Sequence, residues 1–311
     1  MKPIAISANN LTRYFGKTPT VRQVSFDLPV GTVTGLLGLN GAGKSTLIKM
    51  LMGLLAPTRG TCSVLGVDST ILTPSVRARI GYTIEGHFAY GSMTVRDSEQ
   101  LQSDSFPNWN PTLFQNTIDR FGIRPTARIR TLSRGQRAGV SIALTMSSIP
   151  ELLILDDPAL GLDPVSRRAL NETILEFMED DSRTVLLSSH LLDDIERVTD
   201  RVLVMVDGRI LVNSTVSAFL ERVSIWSCDT SGETRQVPCV PGLIHAYQTG
   251  RRLTMAVVDV DQESEAAMVR IGGPSLSRSD SSFDECVVAY LSRSRSSHSF
   301  LGNSATATST R

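Results

Sequence analysis

Nine residues, Gly-Leu-Asn-Gly-Ala-Gly-Lys-Ser-Thr at 38–46, constrain this chain more than any other feature. They fit the pattern G-x-x-x-x-G-K-[ST] through Gly38, Gly43, Lys44 and Ser45. The apolar run Val-Thr-Gly-Leu-Leu precedes them, and the residues through Met52 read as a helix. Strand, glycine loop and helix in that order predict a phosphate-binding loop. Its glycines let the backbone curl so that N–H groups at Asn40, Gly41, Ala42 and Gly43 point inward at phosphate oxygens. The helix start at Lys44–Thr46 adds its dipole. Lys44 is then expected to bridge the β- and γ-phosphates of a nucleotide, with the Ser45 hydroxyl on Mg²⁺.

A second stretch, Leu-Leu-Ile-Leu-Asp-Asp-Pro-Ala-Leu-Gly-Leu-Asp at 152–163, ends an apolar strand in paired carboxylates, Asp156 and Asp157. Beside a phosphate loop, a strand-ending Asp156 is expected to hold Mg²⁺. That leaves Asp157 for chemistry.

The chain has 311 residues, and Lys+Arg and Asp+Glu are both 31, so no global field draws it to nucleic acid. Cys62, Cys228, Cys239 and Cys286 form no C-x-x-C pair, which gives zinc and redox motifs no support. The N-terminal residues have no signal-peptide apolar region, and no run reaches the roughly 18 apolar residues that span a bilayer. Residues 4–35 alternate with period two and predict strands. Short strands follow at 60–85, a helical insert at 93–128, an apolar-faced helix at 137–148, a buried strand at 151–157 and an amphipathic helix at 166–180. A buried strand at 183–190, a helix at 191–200 and a hairpin around Asp207-Gly208 complete the pattern. This alternation argues for a largely parallel α/β core. Composition shifts near residue 213. Residues 213–291 read as a small α+β module, and the Ser/Thr-rich residues 292–311 as a disordered tail.

Leu132–Gln136 (Leu-Ser-Arg-Gly-Gln), Gly161–Asp163 before Pro164, and His190 at a strand end add three further motifs. With Gly38–Thr46 and Leu152–Pro158, in this order and spacing, residues 4–212 resemble the ATP-binding subunit of an ATP-binding cassette (ABC) transporter. The resemblance implies a phosphate-loop α/β core with an antiparallel strand layer, a helical lobe at about 86–140, and head-to-tail dimers with two ATP molecules between them. By the same resemblance Ser133, Gly135 and Gln136 meet the nucleotide of the opposite protomer, and Asp163 lies in the loop crossing the dimer interface. His190 is the switch histidine at the γ-phosphate. Phe15 stacks on adenine, with adjacent Tyr14 as the alternative.

Three positions depart from the family pattern. Glu85 stands where a glutamine usually senses Mg²⁺. It is either a tighter ion ligand or an exposed loop acid, and a subset of related bacterial drug and peptide-antibiotic exporters also carries an acid here. Arg134 replaces a glycine. Asp157 replaces the glutamate that activates the attacking water, so reach becomes the question, since Asp is one methylene shorter. The expectation is an ATP-hydrolysing subunit, cytoplasmic and peripheral to the membrane, driving transport, in the export direction, through a separate membrane permease. Its expected partners are that permease and a second ATP-binding subunit, identical or not, with no nucleic acid. The rivals are a binding switch with little hydrolysis and a soluble, non-transport ABC ATPase.

Overall fold

The computed structural model describes residues 2–84, 91–190, 196–230 and 239–293. Glu85, residues 191–195 of the segment read as a helix at 191–200, and the tail from 294 onward lie outside the described residues. The chain divides into two compact units, Met1–Asn213 and Ser214–Arg311.

In the first unit, β1 (Ile4–Phe15), β2 (Thr18–Pro29) and β3 (Val33–Leu37) lead into α1 (Lys44–Leu51). Next come β4 (Arg59–Val64), β5 (Val67–Asp68), a short α2 (Pro74–Arg77) and β6 (Ile80–Thr83). Helices α3 (Val95–Ser103), α4 (Pro111–Arg120) and α5 (Arg134–Met146) follow. Then come β7 (Leu152–Asp156), α6 (Pro164–Phe177), β8 (Thr184–Ser189), β9 (Arg201–Val206) and β10 (Arg209–Thr215).

Two sheets form. One is six-stranded in the order β10-β9-β3-β8-β7-β6, with β9, β3, β8, β7 and β6 parallel along it. Every residue of β3, β7 and β8 is buried. This is what continuous apolar runs become when helices and a second layer cover both faces of a parallel sheet. The second sheet, β2-β1-β4-β5, is antiparallel. Leu47, Ile48 and Leu51 of α1 fill one core with Leu11, Val24 and Leu28 of the antiparallel sheet and Leu36 and Ile154 of the parallel one. Helix α5 touches α3, α4, α6 and β6.

The sequence reading missed α2. Thr73 accepts a hydrogen bond from the Val76 N–H and Pro74 opens the turn, but four residues are too few to show a helical period. The hairpin turn does fall at Asp207 and Gly208, both left-handed at φ 46° and 79°.

In the second unit, α7 (Val216–Arg222) precedes β11 (Val223–Asp229), β12 (Leu243–Thr249) and β13 (Arg252–Val258). Helix α8 (Gln262–Gly272), β14 (Ser277–Ser279) and α9 (Phe283–Ser292) complete it. The sheet order is β12-β13-β11-β14, all antiparallel. Cys228, Met255, Val257 and Met268 fill the core between this sheet and α8, and Phe219 packs against Phe283 and Tyr290. Ser282 and Glu285 form a capping box that starts α9, whose apolar face carries it to Ser292. All four cysteines are free thiols.

Candidate nucleotide site

Strand β3 ends at Leu37 and α1 begins at Lys44, so the phosphate loop is the whole connection between them. It needs its glycines for two different reasons. Gly41 and Gly43 are left-handed, at φ 83° and 107°. Gly38 lies so close to the neighbouring strand that a Cβ there would sit 2.7 Å from the Met205 carbonyl oxygen. Gly43 has the same problem, with the Thr20 carbonyl at 2.7 Å. The loop is thus clamped between β2 and β9. Lys44 is buried, and its Nζ donates to the Gly38 carbonyl at 2.7 Å and the Leu39 carbonyl at 3.4 Å. No side chain caps the start of α1.

Strand β8 lies between β3 and β7, and so brings Asp156 opposite the loop. The Ser45 hydroxyl donates to Asp156 Oδ1 at 3.2 Å, and Ser188 Oγ donates to the same oxygen at 2.8 Å. Ser188 Oγ in turn accepts the Asp157 N–H at 2.9 Å. One serine on β8 therefore fixes both aspartates. Asp157 is left-handed, at φ 51°. Asp tolerates this region better than most residues because its short polar side chain bonds locally. Its Oδ2 lies 2.7 Å from His190 Nδ1, while Oδ1 is buried with no hydrogen-bond partner among the described residues. Tyr82, half-buried on the adjacent β6, has its hydroxyl pushed up to about 12 by desolvation and then by the Asp156 charge.

These groups line a cleft of about 280 Å³: Asn40, Gly41, Gly43, Lys44, Ser45, Thr46, Asp156 and Asp157, together with Thr20 and Leu160. Thr20, Leu160 and Ser188 were not singled out from the sequence. Thr20 is a β-strand residue with no motif, while Ser188 sits two residues before His190 at the end of a largely apolar strand. Ala42 is buried in the loop.

The remaining candidates lie elsewhere. Ser133 and Gln136 form a capping box at the start of α5, with each side chain bonding the other's backbone N–H at 3.1 Å. Gln136 also donates to the Gly122 carbonyl. Gly135 is packed against α6, where a Cβ would meet Ser166 Oγ at 2.3 Å. Asp163 caps α6 by accepting the Ser166 N–H and hydroxyl at 2.9 and 2.8 Å, and these bonds hold its carboxyl below the usual range. Gly135 and Asp163 thus form one corner, into which Arg134 also packs against Gly161. Phe15 is 51% exposed at the end of β1 with the Arg13 guanidinium 5.0 Å above its ring. Tyr14 is 38% exposed.

A glycine loop between a buried strand and a helix, a buried lysine folded onto it and an aspartate ending a strand two places away define a phosphate-loop nucleotidase. Residues 21–160 match the ABC transporter family. An uncharacterised ABC transporter ATP-binding protein of Bacillus subtilis, YcbN, is 33% identical over 208 residues, covering 66% of this chain and 68% of that one. The bacitracin transport ATP-binding protein BcrA of Enterococcus faecalis is 29% identical over 219 residues, 70% of this chain and 71% of its own length. Among solved structures, an ATP-binding subunit of an ABC transporter matches with TM-score 0.63 and 27% identity, over 70% of this chain and 92% of that one. The chain belongs to the ATP-binding proteins of ABC transporters. It binds ATP and couples ATP hydrolysis to transport. Proteins of this family dimerise and work with membrane permeases. No helix among the described residues is long and apolar enough to cross a membrane.

Proposed function

We propose that this chain is the cytoplasmic ATPase subunit of an exporter, held at the membrane face by a separate permease. A relative named for export supports the direction: the Nod factor export ATP-binding protein I of Rhizobium meliloti is 32% identical over 66% of this chain. Residues 1–212 are the ATP-binding domain, with its helical lobe at about 86–140. The module from 213 to 291 is an appendage of it.

The observation that carries the site assignment is that Asp157, bonded to His190, shares one cleft with Lys44. Lys44 exchanges its carbonyl partners for the β- and γ-phosphates. Asp157 Oδ1, the oxygen without a partner, takes a proton as water attacks the γ-phosphorus. The products are ADP and phosphate. His190 orients the carboxylate through Oδ2. Asp157 is left-handed and already reaches His190, so its shorter side chain is matched to its backbone.

The hard-oxygen pair of Ser45 and Asp156 fits Mg²⁺, which takes one or two protein oxygens and fills the rest of its shell with phosphate and water. No cluster of three or more acids, histidines or cysteines competes with it among the described residues. When bound, Mg²⁺ neutralises charge on the phosphates. Phe15, half-exposed at the end of β1, supports adenine. Ser133, Gly135, Gln136 and Asp163 act on the nucleotide of a second protomer.

Single-turnover hydrolysis tests the reading. Asp157→Asn is expected to slow turnover by roughly a hundredfold or more, the usual weight of a general base, with ATP still bound. Hydrolysis by Asp157→Asn at the parent rate removes Asp157 as the base.

A further inference from the structure

A second cavity, of about 390 Å³, lies on the antiparallel layer and shares no lining residue with the phosphate-loop cleft. Neighbouring residues of β2 separate the two: Thr20 lines the nucleotide cleft, and Pro19 lines this cavity with Tyr14, its register partner on β1. Alternation along a strand puts adjacent side chains on opposite faces.

The lining carries three arginines, Arg22, Arg59 and Arg209, from three different strands or strand starts, and no acid. In a chain of zero formal net charge this is a local excess. Arg22 is held in place, with its Nε donating to the Pro19 carbonyl and its N–H to the Gly208 carbonyl. The Arg59 and Arg209 guanidiniums have no hydrogen bond or ion pair among the described residues.

The cavity wall is also specified. Asn10 and Gln23, both lining it, are left-handed non-glycine residues at φ 50° and 51°. Buried Thr12 ties them together: its hydroxyl donates to the Asn10 carbonyl and accepts the Gln23 N–H. Register shifts in both the β1–β2 and β1–β4 pairings fall at this level and open the sheet. Non-glycine residues persist in such conformations only where their surroundings over-determine them.

We propose that this cavity binds a small, multiply charged phosphate ester, distinct from the nucleotide at the phosphate loop. Planar guanidiniums with free N–H groups match phosphate oxygens two at a time, and the Tyr14 hydroxyl and the Asn10 and Gln23 amides suit the polar body of such a molecule.

The test uses the full chain with ADP saturating the phosphate-loop site. Fructose 1,6-bisphosphate is titrated calorimetrically, with citrate as a non-phosphate trianion and inorganic phosphate as the minimal probe. Fructose 1,6-bisphosphate is expected to bind at one per chain and more tightly than either comparison probe. The double variant Arg59→Ala/Arg209→Ala is expected to weaken it by roughly tenfold or more, the loss of one or two charge-assisted contacts, without changing ADP affinity. Arg59→Lys/Arg209→Lys, which keeps the charge but not the fork, is expected to fall between. No binding of fructose 1,6-bisphosphate at millimolar concentration overturns the proposal. So does binding indifferent to the double variant, or a loss that ADP shares equally.

Discussion

The phosphate-loop cleft and the corner at Ser133 and Asp163 carry motifs of similar length, yet they are finished differently. In the corner the capping side chains are satisfied from within. Ser133 and Gln136 cap each other, and both oxygens of Asp163 take bonds from Ser166. In the cleft, α1 starts without a side-chain cap, and Asp157 keeps a buried oxygen unpartnered. Leaving a buried polar group unpaired costs about 1–3 kcal/mol, so it persists where a ligand completes it. The cleft is built to receive phosphate on its own account. The corner is a pre-formed helix start that needs nothing from its own chain, which suits a surface offered to another protomer's nucleotide.

The largest effect expected from that contrast is an all-or-none one. Chains carrying Lys44→Ala lose the cleft, and chains carrying Ser133→Arg lose the corner, so neither pure dimer should hydrolyse ATP. Mixing the two variants assembles one intact site in a fraction of dimers, and steady-state ATPase should reappear. If mixed dimers form and stay inactive, the two regions do not act across protomers one site at a time.

A smaller effect sharpens the cleft side. Ser188 is fully buried and links Asp156 to the Asp157 N–H. Ser188→Ala strands both, and should cost about 1–3 kcal/mol in urea unfolding while also slowing hydrolysis. The equivalent change in the corner, Ser166→Ala, removes one hydroxyl bond to Asp163 at an exposed cap while the Ser166 N–H still donates to that carboxylate, and should cost about 1 kcal/mol or less. Equal losses at the two positions would erase the distinction.

The smallest effect is in alkaline stability. Tyr82 is raised from 10.0 to about 12, so its neutral form is favoured in the fold. Below pH 10 both folded and unfolded chains keep the proton. Between about 10 and about 12 the unfolded chain releases it first, and stability falls as pH rises. Thermal melts across that window should show a shallower fall for Tyr82→Phe than for the parent. Identical slopes would mean that burial beside Asp156 does not hold the phenol neutral.

Much of this was legible in the sequence because the motifs are local. Gly38–Thr46 declares a loop whose geometry follows from its own residues, and the all-apolar runs of β7 and β8 declare buried strands. What the sequence hid is what depends on distant packing. Nothing at Ser188 marks it as the link between two aspartates of another strand, and Thr20 reaches the cleft only because β2 crosses over Gly43. Asp157 is the instructive case. Its identity raised the question of reach, but the answer lies in a positive φ that a single letter does not show. Gly135 and Gly161 read as signature and turn glycines, whereas their close neighbours, Ser166 and Arg134, explain why a side chain does not fit.

The central claim is that a short carboxylate on a left-handed backbone is the working geometry of this ATPase, and Asp157→Glu tests it most directly. Glutamate adds a methylene of about 1.5 Å where Oδ2 already meets His190 at 2.7 Å. It also loses the tolerance of the left-handed region that Asp has. A displacement of about 1 Å can cost roughly a hundredfold in rate. Single-turnover ATP hydrolysis, measured with both chains saturated with nucleotide, should therefore be slower for Asp157→Glu than for the parent. A faster rate with glutamate would contradict the account, because the backbone would then not have adjusted to the shorter acid.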